Sequence, residues 1–199
     1  MTEPSRHKVL VPGAKKRPAA TSPLMTRRRT LLDVLRRSGW TIRLAKGSRK
    51  LLPPPIADRY PTIAPDVERF LTALEGCRSP NDTVWFLTAV DYARKTGSGL
   101  HWNEIEKMSL EAAKGDFAWQ AEIRSFWDRH LPVMLAVHSD YDYLAIRISD
   151  GAIVHGSAPD YEDASIVAPS FAALLSLLQA EAEAPRDQWP WKVFVGKGS

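Results

Sequence analysis

The sequence predicts an α+β domain, and three stretches carry that expectation. In "PVMLAVHSDYDYLAIRISDGAIVHG", residues 132–156, apolar side chains alternate through Val133, Leu135 and Val137, then through Leu144, Ile146 and Ile148, before "AIVHG". A period of two marks a strand with one face on a core, and Ser149-Asp150-Gly151 supplies a tight turn, so three short strands form an antiparallel meander. "APDVERFLTALEG" and "FAALLSLLQAEAEA" instead space their apolar residues three and four apart, as helices with one buried face do. Helices beside a small antiparallel sheet make the α+β pattern.

The elements follow in order. Residues 1–26 hold prolines and small polar residues without periodicity, and read as a disordered basic extension in which Met25 offers an alternative start. "TRRRTLLDVL" resembles a twin-arginine export signal, but Asp33, Arg36 and Arg37 interrupt its apolar stretch; an Arg-rich transit peptide is the other targeting reading. Over 28–38, Leu31, Val34 and Leu35 share a helical face and Gly39 supplies the stop. "LLPPPIADRYP" is expected to be non-helical because of its prolines. Helix 65–75 carries Val67, Phe70, Leu71 and Leu74, with Pro65 in its first turn and Gly76 just past its end. "TVWFL", 83–87, reads as a buried strand, and Thr88 with Asp91 as a capping box for "AVDYARK". Asn103 with Glu106 repeats that signature, and a third helix puts Trp119, Ile123, Phe126 and Trp127 on one face as core residues. Ser170 caps the last helix, whose stripe is Phe171, Leu174, Leu175 and Leu178. The organisation expected is one domain over 27–180 and a tail over 181–199.

Charge is distributed unevenly. Residues 1–50 hold 14 Lys or Arg against Glu3 and Asp33, a net +12, while the remaining residues hold 13 against 21 acids, a net −8. The basic segment 27–50 has two readings: phosphate contacts to a nucleic acid, or a solvated helix face, which is preferred because no nucleic-acid-binding motif accompanies it. The acidic loop "SAPDYEDAS", 157–165, is a solvated connector or a docking surface for a basic partner. The single cysteine, Cys77, excludes an internal disulfide and suits a reducing, cytoplasmic setting. No apolar run reaches the ~20 residues of a membrane span, so no membrane partner is expected.

Catalytic patterns are missing. His138, Asp140, Asp142 and His155 have the chemistry of a metal site, but HExxH, paired cysteines and an EF-hand loop are all absent. The cluster reads better as a polar hairpin turn closed by Ser139-Asp140. There is no GxSxG elbow, and nothing sets His101 or His130 beside Cys77. Neither GxGxxG nor GxxxxGK[ST] occurs. The expectation is a protein that is not an enzyme and holds neither metal nor cofactor.

The order of signals resembles the SUKH superfamily. "VERFLTALEG" after "LLPPP", the strand and helix of "TVWFLTAVDYA", the meander "LPVMLAVHSDYDYLAIRISDGAIVHG" and the closing "VAPSFAALLSLL" carry the resemblance, over roughly residues 51–178. Gly76-Cys77 stands where the family has two glycines, and "GLHWNEIEKMSLEAAKGDFAWQ" is a long insert. The basic arm is not part of the family pattern. The resemblance implies a non-enzymatic α+β domain that binds other proteins, many bacterial members being immunity proteins that neutralise a secreted toxin. An acidic body would complement a basic toxin. The residues expected to meet such a partner are His138, Asp140, Tyr141 and Asp142, at the exposed edge of the meander, and Asp160, Tyr161, Glu162 and Asp163 in the acidic loop.

Overall fold

The computed structural model describes residues 23–94, 100–184 and 190–195. In chain order they form α1 (Pro23–Arg37), β1 (Thr41–Leu44), α2 (Pro54–Arg59), α3 (Pro65–Thr72), β2 (Leu74–Arg78), β3 (Val84–Phe86) and α4 (Ala89–Ala93). After these come α5 (Glu104–Ala112), α6 (Phe117–Trp127), β4 (His130–Val137), β5 (Tyr141–Arg147), β6 (Ile153–Ser157), β7 (Ser165–Ala168), α7 (Phe171–Glu183) and α8 (Trp191–Val195). The fold is α+β. The strands make one antiparallel sheet whose spatial order is the chain order, β1 to β7. The meander expected over 132–156 is its middle.

Helices cover both faces of the central strands, so β4 is buried from His130 to Ala136 and β5 from Asp142 to Ile146. Phe86, Met134, Leu144 and His155 lie opposite one another across β3 to β6 and so share one face. On it Phe70 of α3 packs against Phe86 and against Phe171 of α7, each pair of rings 5.3 Å apart. Trp85, Leu135, Tyr143 and Gly156 form the adjacent row on the other face. There Trp127 of α6 tilts onto Tyr143 at 4.9 Å.

Local chemistry sets several element ends as expected. Asp91 accepts from the backbone N–H and the hydroxyl of Thr88, both at 2.8 Å. Ser170 Oγ accepts from Ala173 N–H, capping α7. Gly39 (φ 85°) follows α1, and Gly151 (φ 75°) sits in the β5–β6 turn, both in the region only glycine enters freely.

Elsewhere the structure corrects the sequence reading. Helix α1 begins at Pro23, within the 1–26 segment expected to be disordered; residues 1–22 lie outside the described residues. The proline run does enter a helix, because Pro54 and Pro55 occupy the first positions of α2, whose N–H groups have no intrahelical acceptor to lose. Helix α3 ends at Thr72, and Leu74, Gly76 and Cys77 belong to β2, which pairs with β1. Pairing across the sheet overrides the helical spacing, and the Arg43 guanidinium lies where a Cβ on Gly76 would be, 3.2 Å from its Nη2. Asn103 makes no side-chain cap, and Glu106 turns instead to Arg59. Trp119 is exposed, and only Ile123 and Trp127 of its expected face are buried in α6. In the segment expected to be a tail, Trp191, Phe194 and Val195 of α8 join the core.

Candidate protein-binding site

The β4–β5 hairpin and the β6–β7 loop meet at one end of the sheet. Ser157 lies opposite Asp142, and one step beyond, Ala158 N–H donates to Tyr141 O at 3.0 Å. His138 N–H closes the hairpin turn on Asp140 O. The two segments singled out by sequence are thus one surface. Tyr161 stands among them: burial raises its phenol pKa, and the nearby Tyr141, Asp140, Asp142 and Glu162 raise it further.

The eight residues divide into supports and exposed groups. Asp142 is a correction to the reading of an exposed edge. It is buried, with Oδ1 2.8 Å from Nε2 of the equally buried His155, because β5 puts it on the same covered face as Leu144. Tyr161 is buried too, and its carbonyl accepts from Tyr143 Oη at 2.5 Å. Glu162 accepts from Trp127 Nε1 at 2.6 Å, which fastens the loop to α6. Asp140, Asp160 and Asp163 are exposed, and Tyr141 is half-buried. His138 is exposed as well, but its Nε2–H donates to Val193 O of α8 at 3.0 Å.

Two residues outside the predicted set build this end of the molecule. Gly156 leaves room for the Tyr143 ring, since a Cβ there would stand 2.6 Å from Tyr143 Cε1 and Cζ. That vacancy lets the phenol reach across β6 to the loop carbonyl. Phe194 of α8 sets its ring edge-on to His155 at 5.9 Å and covers the Asp142–His155 pair. The apolar run "WPWKVFV" was the available signal for α8. For Gly156 a single sequence offered none.

Cys77 lies in the core, where burial pushes its thiol up to about 12 and keeps it protonated, a poor nucleophile. Among the described residues no three His, Cys, Asp or Glu side chains converge as metal ligands, and no helix is long and apolar enough to cross a membrane. Compared with known proteins, the chain matches no family model, no curated protein and no solved structure.

Proposed function

We propose that the protein is a non-enzymatic protein-binding domain, an immunity protein that neutralises a cognate secreted bacterial toxin by direct binding. The observation that carries this reading is the exposure of Asp140, Asp160 and Asp163 on two adjoining segments that are held by Tyr143, Trp127 and α8. A surface ordered before contact loses little entropy on binding, and its negative charge steers a basic partner into register. The SUKH resemblance of residues 51–178 and the net −8 of residues 51–199 point the same way. Occlusion of a toxin needs area and complementarity, both available here without a catalytic group.

The test is purification of the tagged full chain from its native cells with a high-salt wash, followed by mass spectrometry. A stoichiometric partner should be retained, should arrest growth when expressed alone, and should be silenced when co-expressed with this protein. The Asp140→Lys, Asp160→Lys, Asp163→Lys variant should lose that protection. Full protection by the charge-reversed variant, or a retained partner without toxicity, would overturn the reading. Recovery of nucleic acid alone, at low salt, would move function to the basic segment 27–50.

A further inference from the structure

We propose that a groove between residues 49–54 and α4 docks an acidic polypeptide segment carrying apolar anchors. The groove encloses about 560 Å³. Leu51, Leu52 and the following prolines form one side, and Ala89, Val90 and Ala93 of α4 form the other. The two alanines lie four residues apart, on one helical face, and their small side chains leave the hollow open. Arg49, Lys50 and Arg94 line it, and among the described residues no carboxylate does.

Arg59, Arg78, Lys107, Lys114 and Arg147 each reach an acid, whereas exposed Arg49 and Lys50 form no ion pair among the described residues. Arg94 has one, to Asp91 at 3.3 Å. An apolar surface bordered by Arg49 and Lys50, with Arg94 shared with Asp91, suits a ligand that supplies both anions and hydrocarbon.

The openness of the hollow selects among such ligands. Pro54 and Ala93 remain exposed, so a small molecule could not bury the 70–90% of its surface that a ligand pocket typically covers, while side chains projecting from a peptide could. A nucleic acid would satisfy the cations, but no aromatic ring lines the groove to stack a base. Residues 1–22 and 95–99 do not have the composition that would complement the groove. Residues 1–22 contain one acid, Glu3, among several cations, and residues 95–99 read Lys-Thr-Gly-Ser-Gly. The acidic 157–165 loop of a second copy has its Tyr161 already buried. The occupant is therefore a different polypeptide. The proposal is independent of the toxin reading, because the two surfaces carry opposite charge and are removed by different substitutions.

The experiment is selection of a random 12-residue phage-displayed peptide library on the immobilised full chain, with the enriched peptides then measured by fluorescence anisotropy. Enrichment of Asp or Glu beside Leu, Ile, Phe or Trp is expected. Binding should weaken by about tenfold or more in R49E/K50E, and equally in A93W, which fills the hollow from an exposed position. The D140K/D160K/D163K variant should bind these peptides unchanged, with coincident thermal unfolding showing all variants folded. No enrichment of acidic apolar sequences, or binding that survives both groove variants, would overturn the proposal. So would tighter binding of a 20-nucleotide single strand than of the best peptide.

Discussion

His155 Nε2 stands 2.8 Å from Asp142 Oδ1, across neighbouring strands and beneath the ring of Phe194. The pair joins the interior to the candidate binding surface, since Asp142 is one residue from Tyr141. Removing Asp142 takes away a buried hydrogen bond to a carboxylate, worth about 1.5–3 kcal/mol. Asp142→Ala is expected to lower the unfolding free energy from urea denaturation by that order, with the slope unchanged. An unfolding free energy within ~0.5 kcal/mol of wild type, the size of an ordinary surface effect, would show that the pair does not support the core.

Gly156 is expected to tolerate no side chain. In Gly156→Ala the new methyl meets the Tyr143 ring, which must leave its place over β6 and release Tyr161 O. Overpacking of this kind costs about 1–3 kcal/mol. Tyr143→Phe keeps the ring and loses only the hydrogen bond, about 1 kcal/mol. Faster amide exchange confined to residues 158–164 in Tyr143→Phe would show the phenol anchoring the loop; exchange unchanged there would count against it.

Arg59 closes α2 onto the α5–α6 pair. Its Nη1 and Nη2 donate to the two oxygens of Glu106, and its Nε donates to Asp128, all at 2.7 Å. Lysine cannot reproduce this fork. Because Arg59 is partly exposed and Asp128 largely so, solvent screens part of the gain. Arg59→Lys should cost about 1–2 kcal/mol after that discount. A double-mutant cycle with Glu106→Gln should show coupling, and additive losses would argue that the fork contributes nothing beyond its parts.

His130 gives the fold a pH dependence. Its pKa lies below 6.5, chiefly because burial disfavours the cation, although the hydrogen bond from Nδ1–H to Phe126 O opposes the shift. Below about 6.5 the unfolded chain then binds more protons than the folded one, so stability falls with pH until folded His130 itself titrates. Denaturation between pH 8 and 5.5 should show a shallower decline for His130→Asn than for wild type. Parallel curves would remove His130 as the cause.

Legibility in the sequence followed the range of the interactions. The Thr88–Asp91 cap, the Ser170 cap and the α7 stripe depend on residues within one or two turns, and all were readable. Strands β1 and β2 were not, because "TIRL" and "LEGCR" have weak patterns of their own and become strands by pairing with each other. Alternation in β4 and β5 suggested one covered face, yet Met134 and Ala136 are buried as fully as Val133 and Leu135, since helices lie on both sides. The two candidate segments were readable, and pairing of Asp142 with Ser157 brings them to one end of the sheet. The division of their residues was less readable, although parity already put Asp142 on the side of Leu144 and Ile146, where the core lies.

A sheet whose spatial order repeats its chain order can be laid down as it is synthesised, each strand finding its mate in the one just finished. Helix α1 has no such neighbour: it packs against α7, more than a hundred residues later in the sequence. During translation its buried face, Leu31, Val34 and Leu35, must wait for nearly the whole chain to emerge. That contact becomes possible only once α7 is made, and until it forms the nascent protein exposes an apolar stripe flanked by arginines.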